Sequence, residues 1–342
     1  LVNAHTHLEF SDCPAPLRGE AASFASWIRA VLQWRQTRST GDAKGIEQGL
    51  RESDAAGVTF VGEIATQPDG PPVADFPRGV RFLELIGLSP DRQAAARAAA
   101  VDYLARLPAP GWQLGLSPHA PYTVGLDLLE SAVTLADRHR IPVAMHLAET
   151  REELQLLHDG SGPLRDLLDE LNVWDEQAFP AGIRLEDYLQ RLARAPRALV
   201  IHGNYLGPSC WELLGNLQRT ISVVYCPRTH AYFGHEAYPL AAMLQHGVRV
   251  VLGTDSRASN PDLCLWEEAK WVAAHHPQVR PRQVVEMCTT TARAALGVGE
   301  PLAIGSPAEL TVIQGIGADT DPYAAICAPE TRAVTLRSMM DG

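Results

Sequence analysis

Lysine is nearly missing from this chain of 342 residues, which carries only Lys44 and Lys270. There is no basic block, and the formal net charge is −11. That balance argues against nucleic acid as a partner. No apolar run is long enough to span a bilayer, so no membrane span is expected. Six cysteines are scattered with no C-x-x-C pair. They read as buried, reduced thiols of a cytoplasmic protein rather than a disulfide framework. The sequence has neither a P-loop nor a G-x-G-x-x-G after a strand, and no G-x-S-x-G. These absences exclude the frameworks that such motifs mark. No signal peptide is evident. The chain opens on Leu1 inside a strand pattern, so a missing upstream segment is expected.

What is present is alternation. Short apolar runs at 1–7, 58–65, 80–87, 113–119, 141–146, 198–202, 221–226 and 248–254 read as strands. They are near-continuously apolar, as parallel strands buried on both faces must be. Helical patterns lie between them at 24–37, 46–56, 91–107, 127–138, 185–193 and 210–217, with two more at 263–274 and 282–296. Eight such units predict an α/β fold, a (β/α)8 TIM-like barrel with extra C-terminal helices. The Pro- and Gly-rich stretches 68–77 and 160–163 read as loops, and the long connection 159–183 as rim of the active site. Segments 304–313 and 332–336 read as short strands outside the barrel, the remnant of a small β-sandwich. The expected division is a barrel over 1–300 and a C-terminal β-segment over 301–342.

Polar residues recur where these strands end. The first ends in His5-Thr6-His7, the fourth in Ser117-Pro118-His119, the fifth in His146-Leu147-Ala148-Glu149, the sixth in His202 and the eighth in Thr254-Asp255. Residues i and i+2 of a strand share a face. His5 and His7 alone are a weak signal, and any single strand-end histidine is more often a satisfied structural residue than a ligand. Four strands ending in His and one in Asp, at the mouth where barrels place their chemistry, predict a metal site. Imidazole and carboxylate donors suit Zn²⁺, with Fe²⁺ or Mn²⁺ also compatible. A bridged two-metal barrel site often uses a carboxylated lysine at a strand end. Neither lysine here is so placed, which favours one divalent metal.

These stretches resemble the amidohydrolase superfamily, in its branch of aminohydrolases and chlorohydrolases of purines, pterins and triazines. Asn3–Glu9, Ser117–Tyr122, His146–Thr150, Ile201–Gly203 and Gly253–Ser256 occur in that branch's order. The resemblance implies that His5, His7, His146 and Asp255 bind the metal. It implies that His202 orients the attacking water or polarises the substrate, and that Glu149 shuttles the proton. Asp255 would pass a second proton to the leaving amine. His119 matches a position that contacts substrate. Strict strand alternation would set Glu149 opposite His146, so the chain must bend or end between them.

Within the branch, His5–Ser11, Phe24–Ile28 with Arg35, and Tyr225–His230 resemble the aminodeoxyfutalosine deaminases of menaquinone biosynthesis. The implied activity is hydrolytic release of ammonia from an amino-purine nucleoside, a small heterocyclic substrate. Guanine, methylthioadenosine or S-adenosylhomocysteine, and chlorotriazines are the alternatives within the branch. A catalytically silent metal-binding protein is the alternative outside it. Arg228 and His230, at the end of strand seven, are candidates to hold a carboxylate or ring edge, against a surface salt bridge for Arg228. Glu9 is a candidate for a ribose hydroxyl or for bracing a ligand histidine. Trp27 and Trp34, seven apart on one helix face, read as core packing ahead of a stacking platform. The branch usually has a β-segment before the first histidine strand. Without it the C-terminal strands are expected to lack partners, and a homodimer is one arrangement left open.

Overall fold

The apolar runs form strands because each is covered on both faces. The computed structural model describes residues 1–20, 23–37, 43–68, 78–180, 182–299, 309–317 and 321–340. Eight strands follow in chain order: β1 (Val2–Thr6), β2 (Phe60–Ala65), β3 (Arg78–Leu85), β4 (Trp112–Pro118), β5 (Val143–Leu147), β6 (Ala198–His202), β7 (Ile221–Tyr225) and β8 (Val250–Leu252). Neighbours in sequence are neighbours in the sheet, and every pairing is parallel. β1, β2, β5, β6, β7 and β8 are buried along their whole length. This is the expected (β/α)8 barrel.

Helices α1 (Phe24–Gln36) and α2 (Ala43–Ala55) follow β1, α3 (Pro90–Leu104) follows β3, and α4 (Leu126–His139) follows β4. The β5–β6 connection holds α5 (Arg151–Asp159), α6 (Pro163–Glu170) and α7 (Leu185–Leu192). Then come α8 (Pro208–Asn216), α9 (Pro227–Tyr232) and α10 (Leu240–Gln245), and after β8 α11 (Leu265–His275), α12 (Pro281–Met287) and α13 (Thr290–Leu296).

The circle closes between β8 and β1 without a regular ladder. One parallel bridge joins Thr6 to Asp255, and the backbone N–H groups of Thr254 and Asp255 both donate to the His5 carbonyl at 3.1 Å. Asn3 Nδ2 donates to Thr254 Oγ1 at 2.8 Å. β8 is shorter than its apolar pattern because the chain leaves the sheet at Gly253. A Cβ there would stand 2.9 Å from that of His5, so the approach of the two strands needs glycine.

The stretch 159–183 is not one long loop. It contains α6, started by Pro163 at its first position. Leu164, Leu167 and Leu168 recur at helical spacing and are buried, which is what folds this segment. Outside the barrel, β9 (Thr311–Gln314) and β10 (Arg332–Thr335) pair antiparallel with each other, and α14 (Leu336–Met340) follows. Their expected lack of partners is thereby corrected: each strand is the other's partner. This segment is fixed to α11, where Trp266 Nε1 donates to Thr331 Oγ1 at 3.2 Å and Lys270 Nζ to the Pro329 carbonyl at 2.8 Å. Residues 304–308 of the expected strand and 69–77 of the expected loop lie outside the described residues. Among the described residues, no helix is long and apolar enough to cross a membrane. Cys13, Cys210, Cys226 and Cys288 are buried free thiols, and Cys264 is a half-buried one.

Candidate metal centre

The strand ends converge at the C-terminal mouth of the barrel. β1 delivers His5 and, one residue past its end, His7. β5 delivers His146 and β6 His202, while Asp255 follows β8 by three residues. Among the described residues, five non-glycine positions have left-handed backbones, and three of them are Ala148 (φ 55°), His202 (φ 67°) and Asp255 (φ 58°). Such residues cost of order 1–3 kcal/mol each and persist where the surroundings over-determine them. Here they turn the strand ends toward one point.

The donor atoms are close. His5 Nε2 lies 3.4 Å and His7 Nε2 3.7 Å from Asp255 Oδ1. His7 Nε2 and His146 Nε2 are 3.4 Å apart. One ligand atom each from His5, His7 and His146 lies within 4.8 Å of the others, and the same holds for His5, His202 and Asp255. Both ring nitrogens of His5 and Nδ1 of His7 are buried with no hydrogen-bond partner. Orphaned imidazole nitrogens in a buried site call for a partner, and a cation fits them. His146 is oriented for one: its Nδ1 faces the His119 carbonyl at 3.0 Å, which puts the proton on Nδ1 and leaves Nε2 as a lone-pair donor.

The electrostatics agree. Burial first, then neighbouring imidazoles, holds His7 and His146 well below the usual histidine range. Both are therefore neutral, as ligation requires. For Asp255 burial pushes upward, but the imidazoles that face it, His5 ahead of His202 and His7, outweigh it and keep the carboxylate ionised. Ser259 Oγ donates to Asp255 Oδ2 at 2.7 Å, fixing the second oxygen while Oδ1 faces the imidazoles. Several neutral imidazoles and one carboxylate fit a single divalent cation.

Glu149 joins this group because β5 ends at Leu147 and Ala148 turns left-handed, so the strand's alternation stops there. Its Oε1 lies 3.4 Å from His202 Nε2. Burial, then the charges of Asp255 and Glu153, raises the Glu149 carboxyl well above the ordinary range.

Above these groups lies a cavity of about 320 Å³ lined by His7, His119, His146, Glu149, His202 and Asp255 at its floor. Its walls are mainly apolar, with Arg35, Glu84 and Arg92 as charged members. α1 contributes Phe24, Trp27, Ile28, Val31 and Leu32, and α6 with the residues after it contributes Leu164, Leu167, Leu168, Leu171 and Val173. The 159–183 connection thus does form part of the rim. Trp27 lines the cavity while its Nε1 donates to the Ala258 carbonyl at 3.1 Å, and Trp34 packs with the cluster around Phe10 and Val31. His119 lies at the floor with Nδ1 2.7 Å from Thr123 Oγ1.

Other sequence-derived candidates stand apart from the cavity lining. Glu9 is engaged by Arg35 Nη2 and, at 3.1 Å, by Thr66 Oγ1. The Arg228 guanidinium lies between Asp262 and Glu268, at 2.6 Å from each, with its side chain 12% exposed. His230 is buried among Tyr225, His235 and Tyr238. Glu84 was not anticipated. It lines the cavity from the end of β3, with Oε1 3.9 Å from His119 Nε2. A carboxylate inside an otherwise apolar strand pattern was the available signal. Ser259 was also missed, and nothing in its spacing marks it.

The comparisons with known proteins follow the same line. A model of the amidohydrolase family matches residues 1–336. An aminodeoxyfutalosine deaminase of Deinococcus radiodurans is 29% identical over 316 residues, covering 88% of this chain and 73% of that protein. A 5-methylthioadenosine/S-adenosylhomocysteine deaminase of Pyrococcus furiosus is 27% identical over 318 residues, covering 87% and 70%. The crystal structure of Helicobacter pylori aminofutalosine deaminase with methylthio-coformycin superposes with a TM-score of 0.77 at 22% identity. It covers 95% of this chain and 80% of its own, and shows the shared fold.

Proposed function

The chain belongs to the amidohydrolase family, and on that footing we propose that it is a metal-dependent hydrolytic deaminase of an amino-purine nucleoside, with aminodeoxyfutalosine as its substrate. The observation that carries this reading is the placement of Glu149 beside His202, at the edge of a cation-ready donor cluster, on the floor of an apolar cavity. His5, His7, His146 and Asp255 are the residues to hold the ion, and zinc suits them best. When bound, a divalent ion supplies a water acidic enough to act as nucleophile near neutral pH.

The chain's own groups do the rest. His202, neutral because burial outweighs the nearby Asp255 charge, orients the attacking water against the ring carbon that bears the amino group. Glu149 takes the water's proton at a carboxylate oxygen and hands it to the adjacent ring nitrogen. That relieves charge as the tetrahedral adduct forms. A second proton, moved through Asp255, lets the amine leave as ammonia and the ring regain its carbonyl. The apolar walls exclude bulk water from these transfers.

The walls also bear on the substrate. Set against the apolar side of these walls, away from Arg35, Glu84 and Arg92, the zwitterionic tail of S-adenosylhomocysteine would be costly to bury. An aryl or alkylthio 5′ extension would not. Aminodeoxyfutalosine ends in a benzoate, and Arg92 among the lining residues offers it a cation. Methylthioadenosine is the second reading, because the same walls accept a methylthio group. Buried free thiols support placement in the reducing cytoplasm, and the substrate assigns the step to menaquinone biosynthesis.

Ammonia release measured across aminodeoxyfutalosine, methylthioadenosine, S-adenosylhomocysteine, 5′-deoxyadenosine, guanine and a chlorotriazine tests this. The highest kcat/KM is expected with aminodeoxyfutalosine. A metal-loaded chain that releases no ammonia from any of them is not a deaminase.

A further inference from the structure

Glu153 lies in the first turn of α5 and is 0% exposed. A buried carboxylate is costly unless its lone pairs are used. Here backbone groups use them. Glu153 Oε1 accepts the N–H of Ala148 at 2.9 Å, and Oε2 accepts the N–H of Glu149 at 2.9 Å. Its own N–H donates to Thr150 Oγ1 at 3.1 Å, which seats the first turn of the helix. Burial pushes the carboxyl up to about 7, against the pull of the N–H groups of Glu149, Ala148 and Thr150.

The two N–H groups it holds flank a strained point. Ala148 has φ 55°, a left-handed backbone that an L-residue with a Cβ adopts at a cost. The carbonyls of the same two residues are held from the other side. Tyr205 N–H donates to the Ala148 carbonyl at 3.0 Å, and Asn204 Nδ2 to the Glu149 carbonyl at 2.9 Å. The turn is thus clamped between α5 and the loop after β6. Without it, β5 would continue its alternation and send Glu149 to the face opposite His146.

We infer that Glu153 is a positioning residue: its carboxylate holds the left-handed turn at Ala148 and thereby sets Glu149 beside His202. The inference rests on the reading of Glu149 as proton shuttle. Glutamine at 153 keeps the shape but loses one acceptor, because its amide NH₂ would face a backbone N–H. Glycine at 148 removes the Cβ penalty of the left-handed turn, so it should make the turn less dependent on Glu153.

Three variants test this: Glu153→Gln, Glu153→Gln with Ala148→Gly, and Glu149→Gln. Each is measured for kcat, KM, metal per chain and amide hydrogen exchange at residues 148 and 149. In Glu153→Gln, kcat should fall about 100-fold, the scale of a misplaced catalytic group. KM and metal content should stay unchanged and exchange at the two amides should quicken. Adding Ala148→Gly should recover at least ~10-fold of the lost kcat, since the turn no longer carries its strain. A kcat within twofold of the parent, or a loss of activity that tracks metal loss and is not restored by glycine, overturns the inference. If Glu149→Gln is as active as the parent, the shuttle reading falls. The exchange data then decide the positioning alone: faster exchange in Glu153→Gln supports it, and unchanged exchange overturns it. If Glu153→Gln does not fold, recovery of folded, metal-loaded protein in the double variant supports the inference, and failure of both variants overturns it.

Discussion

Oε1 of Glu149 stands 3.4 Å from Nε2 of His202, although the two side chains belong to the ends of different strands. Burial drives the two in opposite senses. It raises the Glu149 carboxyl well above its ordinary range and holds His202 well below that of a free imidazole. A proton shared by the pair is therefore favoured on Glu149 over the imidazole beside it. In the proposed mechanism this suits Glu149 to hold the water's proton until the ring nitrogen takes it, with no competition from His202.

Replacing the Glu149 carboxyl by an amide keeps the shape and removes the proton. Glu149→Gln is expected to retain its metal and lose about 100- to 10,000-fold in kcat, the range of general acid–base contributions. Metal analysis and steady-state kinetics on one preparation check it. Near-parental kcat would remove Glu149 from the mechanism.

A cation held at the orphaned nitrogens of His5 and His7 would bind the folded chain far better than the unfolded one. Chelation should therefore lower Tm. A site saturated a thousandfold above its Kd contributes about 4 kcal/mol, which chelation would remove. Thermal unfolding with and without chelator, followed by zinc add-back, measures this. An unchanged Tm with demonstrated metal loss would contradict it.

Arg228 and Glu268 make a sharp test of bracing against substrate binding. The Glu268 side chain is 0% exposed and accepts from the Arg228 Nε at 2.6 Å and from its N–H at 2.9 Å. Arg228→Ala leaves that carboxylate without its cation and is expected to cost about 3–5 kcal/mol of stability. Denaturant unfolding reads the loss, and KM of the folded fraction should stay near the parental value. A large rise in KM at unchanged stability would instead make Arg228 a substrate contact.

Glu84 carries a pH signature. Burial first raises its carboxyl from 4.5 to about 7, with Arg35 opposing. The unfolded chain releases this proton near 4.5 and the folded chain only near 7. Between those values the folded state binds more protons, so stability falls as pH rises. The contribution is full below the unfolded pKa and is lost as pH passes the folded one. Glu84→Gln should flatten this part of the profile, by up to about 1.4 kcal/mol per pH unit. Urea unfolding at a series of pH values compares the two chains, and parallel profiles would refute the assignment.

The barrel was legible because buried parallel strands leave the plainest pattern a sequence offers, a short apolar run repeated. The gathering of the candidate metal-binding residues was legible because each sits just where such a run stops. Helix α6 was hidden by its shortness and by the Gly and Pro residues that announce it as a loop; only its leucine spacing marks it. Glu84 was overlooked because it occupies a strand interior, where an isolated carboxylate reads as an interruption. Arg228 shows the opposite case. A strand-end arginine looks like a substrate group, yet its partners Asp262 and Glu268 are more than thirty residues onward, and no local spacing reveals them. The left-handed turn at Ala148 was demanded by the position of Glu149 but not located, since alanine carries no mark of it.

The closure between β8 and β1 gives the site a structural role as well as a chemical one. His5 and His7 lie at the end of the first barrel strand and Asp255 follows the last, so the donor set straddles the seam between them. The shell is complete only when all eight strands are in place, because its donors come from both ends of the strand order. A fragment that lacks either end keeps most of the barrel's sequence but only part of the donor set. The ion would act as a rivet across that seam, joining the first and last strands of the barrel where no regular ladder joins them.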